Sequence, residues 1–274
     1  MKIDKRIAFV LSQKGGVGKS TFSKMTIDVL RRINTEHCDG AYKVMGFDGD
    51  PKVGHLKDVY GIKNADGQYD AVLNRRTPEF GVVAFDAFNR KEGLMALDLL
   101  DMGPDFAVVD MPAGSPEVIK QLFGDVDSFK KEYRAEGYAI SIVIVIDALK
   151  TSAQSIKNIL EIWGDDVQYV VARNLSKGSA FEFFTSKSLF NDGVSAEDLV
   201  LQAQGKIIDL PALNMDAYAL LDASGASFSA SLVDGTPGYL SNRSYRSMVR
   251  RFLDDSEEEL KKINWIQTCV FRRM

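Results

Sequence analysis

The stretch Gln13-Lys14-Gly15-Gly16-Val17-Gly18-Lys19-Ser20-Thr21 decides the reading of this chain. Ahead of it runs the apolar, β-branched segment Ile7 to Leu11, which predicts a strand. Behind it Phe22, Met25, Val29, Leu30 and Ile33 recur at helical spacing, so Lys19 to Ile33 reads as an amphipathic helix that starts inside the glycine-rich segment. Strand, bend and helix in that order make an anion cradle. Gly15, Gly16 and Gly18 let the backbone turn so that successive N–H groups face one point, and the helix N-terminus adds a favourable dipole there. Read this way, the loop holds the phosphates of ATP with Val17 and Thr21 as part of the cradle. Lys19 reaches the β- and γ-phosphates, and the Ser20 hydroxyl ligates a Mg2+ ion that keeps several waters. The competing reading is a surface turn with solvated lysines; the matching strand and helix on either side weigh against it.

The strict pattern G-x-x-x-x-G-K-[ST] needs a glycine at position 13, which Gln13 occupies, and a second lysine, Lys14, accompanies that departure. The string resembles the deviant Walker A motif of the ParA/MinD family, and its QKGGVGK form is most similar to the ParA branch, whose members position plasmids and chromosomes. The resemblance implies a SIMIBI-like P-loop NTPase in which Lys14 reaches across a dimer interface into the partner's nucleotide site. Two further segments resemble the family's switches. Phe47-Asp48-Gly49-Asp50-Pro51-Lys52 is similar to a D-x-D-P element after the second strand, which implies that Asp50 orients the attacking water and that Asp48 acts at the Mg2+ or Lys14 side. Carboxylates at a strand's C-terminal end face the ligand crevice of open α/β sheets, although such a run alone reads as a turn. The apolar run Phe106 to Val109, then Asp110-Met111-Pro112-Ala113-Gly114, resembles a Walker B aspartate followed by a D-x-P-A-G switch. By resemblance Asp110 holds a Mg2+-bound water and the Gly114 amide senses the γ-phosphate. Asn174 and Pro211 stand where relatives place an adenine-contacting Asn and a loop against the base, and a lone Asn after a strand also reads as a turn residue.

The rest of the chain agrees with an α/β fold, a mostly parallel twisted sheet with helices on both faces. With 274 residues, 45% hydrophobic, the chain is long enough to bury a sizeable core, and residues 1–274 read as a single domain. Strands are predicted at Ile7 to Leu11, Lys43 to Phe47, Phe106 to Val109, Ile140 to Ile146, Tyr169 to Ala172 and Lys206 to Leu210. Further helices are predicted at Ser152 to Trp163, Asp216 to Asp222 and Asn242 to Lys262, the last opening a C-terminal segment over about 242–274. Gly54 to Arg90 has weak periodicity and gives no firm element. The two cysteines, Cys38 and Cys269, fit neither a disulfide framework nor a metal cluster, and no apolar run reaches bilayer length. A soluble cytoplasmic protein is the expectation.

With a net charge of −4 the whole molecule lacks the footprint of a dedicated nucleic-acid binder, so any such contact must be local. Arg243, Arg246 and Arg250 would form one basic stripe on a helix, able to meet DNA phosphates without sequence preference as ParA-like members do. The alternative is a solvated face ion-paired to Asp254, Asp255 and Glu257 to Glu259. Ile263 to Arg273 carries apolar bulk and basic ends, compatible with MinD-like membrane binding or with packing of the last turn on the domain. The resemblance implies an ATP-assembled homodimer, released by hydrolysis and timed by an adaptor protein. It leaves three processes open: partition, conjugative transfer or mobilisation, and membrane positioning. Metal-cluster carriers share the loop but need closely spaced cysteines, and amidoligases need a second substrate domain.

Overall fold

The computed structural model describes residues 5–50, 55–114, 119–120 and 125–265. Among them, β1 (Lys5–Leu11), β2 (Val44–Asp48), β3 (Val82–Ala84), β4 (Phe106–Asp110), β5 (Tyr138–Ile146), β6 (Gln168–Asn174) and β7 (Lys206–Leu210) form one sheet. Its order is β3-β2-β4-β1-β5-β6-β7, and every pairing is parallel. β1 lies between β4 and β5, in register from Arg6 against Phe106 and from Lys5 against Tyr138. The chain therefore builds outward on both sides of β1. The C-terminal end of β1 is the switch point at which open α/β sheets hold their ligands.

Period-two alternation explains why the strands are apolar throughout. Ile7, Phe9 and Leu11 enter one core, and Ala8 and Val10 the other. In β5, Ile140, Ile142, Ile144 and Ile146 join the first core while Val143 and Val145 join the second. A sheet covered on both faces leaves no polar side for water. The first core is closed by α4 (Met95–Asp98), α5 (Val126–Ala135), α6 (Lys150–Trp163), α7 (Glu182–Thr185) and α8 (Ala196–Gln202). Its centre is aromatic, with the Phe9 ring 5.6 Å from Phe129, 5.8 Å from Tyr133 and 5.8 Å from Trp163. The second core lies under α1 (Lys19–Cys38), α2 (His55–Tyr60), α9 (Met215–Ser224) and α10 (Arg243–Lys262). Ile263 and Trp265 are buried there, the Trp265 ring against Phe106 at 5.2 Å and its Nε1 donating to Gln168. Packing on the domain thus accounts for the start of the Ile263–Arg273 segment; residues 266–274 lie outside the described residues.

Several elements exceed or escape the sequence reading, among them α2, α4, α5, α7 and α8. α1 runs past Ile33 to Cys38, beyond the periodic signal, which ends at Ile33 because Asn34 to His37 carry no apolar side chain. It stops at Asp39, in the left-handed region at φ 53°. β3 falls in the weakly patterned 54–90 stretch, as does α3 (Ala71–Arg76). β3 is a three-residue edge strand whose outward groups are closed by side chains: Asn74 Oδ1 accepts from Val82 N, and the Tyr69 hydroxyl bonds Val82 O and Ala84 N. Such closure removes a template for edge-to-edge pairing.

Candidate nucleotide site

Leu11 ends β1, and the Ser12 hydroxyl fixes the next turn by bonding both N and O of Lys14 at 3.1 Å. Gly16 at φ 75° and Gly18 at φ 106° then take left-handed conformations open to glycine. Gly18 is doubly constrained, since a Cβ there would stand 2.2 Å from Asn174 Nδ2. It is also the N-cap of α1, with no capping side chain, and the first turn of the helix holds no acidic residue. The amides of that turn are thus left facing the loop, the arrangement an anion requires.

Around this helix start the chain gathers the groups named from the sequence. A cleft of about 360 Å³ is lined by Gly15, Gly16, Gly18, Lys19, Ser20, Thr21, Asp48, Asp50, Asp110, Asn174 and Pro211. Val17 is fully buried beneath it. Gly114, at φ 77°, sits one residue beyond the lining segment Met111–Ala113. His55, Lys177, Met215, Tyr218 and Phe252 also face the cleft, and the sequence reading had no signal for them. Tyr218 touches the loop directly, its hydroxyl 3.2 Å from Thr21 Oγ1.

The electrostatics follow from burial. Asp110 is 5% exposed at the end of β4, and its carboxyl is pushed up to about 7, by burial first and by Asp48 second. Ser20, Lys19 and Ser23 oppose that shift; the Ser23 hydroxyl donates at 3.0 Å. Burial holds the Lys19 ammonium below the ordinary lysine range, against the pull of Asp110 and then Asp50. One hydroxyl and one carboxylate, Ser20 and Asp110, hydrogen-bonded beside a helix N-terminus, are a donor set that suits a Mg2+ ion shared with phosphate and water. Among the described residues no three His, Cys, Asp or Glu side chains are grouped to hold a metal by themselves.

Asp48 has a different geometry. It is 1% exposed, and its oxygens accept from Asp50 N at 3.1 Å, Leu56 N at 3.0 Å and Lys57 N at 2.9 Å. Burial raises its carboxyl, and these three amides limit the rise. Asn174 is 2% exposed; its Nδ2 donates to Val17 O at 2.7 Å and its Oδ1 accepts from Ser176 N and Oγ. The side chain expected at the base is therefore occupied with the loop backbone. Lys14 lies outside the cleft lining, its Nζ 2.6 Å from Asp147 Oδ2.

No protein-family model and no curated protein matches the sequence. Solved structures do match it. A ParA family ATPase from Chlorobium tepidum TLS superposes with a TM-score of 0.51 at 12% identity, covering 92% of this chain and 98% of that one. The chain has the fold of a ParA family ATPase. A putative plasmid partition protein from Borrelia burgdorferi B31, bound to AMPPNP, aligns with a TM-score of 0.47 at 14% identity, over 93% of this chain and 99% of that one. In this ParA-type fold the glycine-rich loop, Asp50 and Asp110 share the C-terminal edge of the sheet.

The surfaces expected to meet other molecules are only partly formed. Arg243 and Arg250 are exposed on α10, but Arg246 turns back to donate to Leu240 O and Ser241 O, with its guanidinium 4.9 Å from the Tyr239 ring. Arg246 thus closes the segment that enters the helix. The acidic run is engaged differently from the expectation. Arg251 pairs with Asp255, whereas Asp254 and Glu257 pair with Arg32 of α1 and Glu258 and Glu259 with Lys261 and Lys262. Among the described residues no helix is long and apolar enough to cross a membrane.

Proposed function

We propose that the chain, acting as one unit over residues 1–274, is a Mg2+-dependent ATPase that works as a nucleotide switch. The observation that supports this most is the convergence of Lys19, Ser20, Asp50 and Asp110 on an uncapped helix N-terminus at the sheet's switch point. Backbone amides of Gly15 to Thr21 enclose the polyphosphate, and Lys19 neutralises charge on the β- and γ-phosphates. Ser20, and Asp110 through a water, would hold a bound Mg2+ ion, which would supply neutralisation of the phosphate charge. Asp50 orients the attacking water, and the Gly114 amide senses the γ-phosphate. We assign Asp48 to anchoring α2 rather than to the ion, since its oxygens already accept three backbone amides. Asn174 braces the loop, leaving Pro211 and the apolar wall of Leu213, Met215 and Tyr218 to meet the base.

ATP would assemble a face-to-face homodimer through Lys14, and an adaptor protein would set a slow turnover. Partition of DNA, with non-specific contact through Arg243 and Arg250, is the process most in keeping with the ParA-type fold; conjugative transfer uses the same parts. Titration calorimetry with Mg2+ and ATP tests the basis of this reading. Wild-type protein should bind and Lys19→Ala should lose most of the affinity; absence of binding in the wild type would overturn it.

A further inference from the structure

The connection between α2 and β3 carries a surface that nucleotide chemistry leaves unused. Phe80 is 73% exposed, Val72 59% and Leu73 39%, and all three lie in or just after α3. A chain of hydrogen bonds ties Leu73 to Phe80: Thr77 N and Oγ1 donate to Leu73 O, and Phe80 N donates to Thr77 O. The platform is rigid. Half-buried Arg31 of α1 donates to Gly81 O at 2.7 Å and Val44 O at 3.2 Å, with longer bonds to Pro78 O and Phe80 O at 3.4 Å. Asn74 closes the other side by bonding both N and O of Ile62. The backbone that carries the Phe80 ring is thus held in place before any contact forms, which lowers the ordering cost of binding.

The charge on this face selects the partner. Arg75 and Arg76 are exposed at the C-terminal end of α3, and neither is in an ion pair among the described residues. Two carboxylates flank them: Asp70, which caps α3 through Leu73 N, and Glu79, whose charge acts on the Arg31 guanidinium of α1. Two arginines are too few to hold duplex DNA. Aromatic, aliphatic and arginine side chains together are the composition of a protein contact.

The platform is also wired to the cleft. Asp48 accepts the first amides of α2, α2 leads to Ile62, and Ile62 is bonded to Asn74 of α3. We propose that Val72, Leu73, Phe80, Arg75 and Arg76 form the docking surface for an acidic amphipathic segment of a partner protein, and that docking is felt in the cleft through α2 and Asp48. The second half rests on the ATPase reading; the first does not.

A phage-displayed library of random peptides, panned on the full chain, tests both halves. Winning sequences should combine Asp or Glu with large apolar residues. They should bind at least about tenfold more weakly to Arg75→Glu/Arg76→Glu and to Phe80→Ala, with thermal melts of these surface variants unchanged. Winners without acidic bias, no winners, or equal binding to the variants would overturn the docking surface. Flotation with phosphatidylglycerol vesicles that disappears in the same variants would reassign the face to lipid and overturn it too. A bound winner should shift Mg2+–ATP affinity; an unchanged affinity refutes the link to the cleft. Peptide binding without any ATP binding would sink the ATPase reading and leave the docking surface standing.

Discussion

Lys14 and Asp147 meet at 2.6 Å across 133 residues of sequence, so the lysine that the loop reading sends to a partner subunit is held within its own chain. Asp147 directly follows β5 at 8% side-chain exposure, and its other oxygen accepts from Ser152 Oγ and Leu149 N. Burial alone would raise this carboxyl; the bonds from Lys14, Ser152 and Leu149 outweigh it and hold it below the usual range. Lys14 is one-third exposed, so the contact is worth no more than roughly 0.2–1 kcal/mol once solvent screening is counted. Replacing Asp147 by Asn keeps the bonds from Ser152 and Leu149 and frees Lys14. Sedimentation with ATP should then show dimers at a several-fold lower protein concentration, and Lys14→Ala should show none. An Asp147→Asn protein with wild-type dimerisation would mean that the internal pair does not compete with assembly.

Asn174 should matter to the loop before it matters to the base. Asn174→Ala leaves Val17 O without its donor in a buried place, which costs about 1–3 kcal/mol. Gly18→Ala should cost at least as much, since it combines a left-handed φ of 106° with a clash against the same amide. Urea unfolding measures both, and calorimetry should show weaker nucleotide binding in each. Full stability in Asn174→Ala would remove the bracing role.

The raised Asp110 carboxyl predicts an unusual pH dependence for the nucleotide-free protein. A carboxyl titrating at about 7 when folded and near 3.8 when unfolded binds more protons in the native state. The native state therefore loses stability as pH rises from about 4 through 7, by an amount on the order of 4 kcal/mol that is complete above that window. Asp110→Asn should flatten the slope and stabilise the nucleotide-free protein at alkaline pH, while abolishing its response to Mg2+. Urea midpoints across this range decide it; a variant with the wild-type slope would locate the titration elsewhere.

The arginines of α10 separate into two roles. If DNA contacts this helix, Arg243→Ala and Arg250→Ala should each lower the slope of log affinity against log salt by about 1. Arg246→Ala should leave that slope alone and lower the melting temperature, since its guanidinium bonds Leu240 O and Ser241 O. Equal slopes for all three variants would restore the continuous stripe.

Local physics made much of this legible from residues alone. A run of glycines between a β-branched strand and a helix-patterned segment specifies a bend and an uncapped helix start, because each depends on neighbours a few positions apart. The strands followed from unbroken apolar character, and Asp50 and Asp110 from their places just after or at strand ends. β3 and α3 escaped because a short edge strand closed by Tyr69 and Asn74 has no alternation to display. What tertiary structure alone decided is which side chains are already engaged. Asp48 holds α2, Asn174 holds the loop from 157 positions away, Arg246 folds back, and Lys14 is paired with Asp147. The Asn174 and Lys14 contacts join segments distant in sequence, so no periodicity or spacing encodes them; they exist because a parallel sheet brings the C-terminal ends of its strands to one edge.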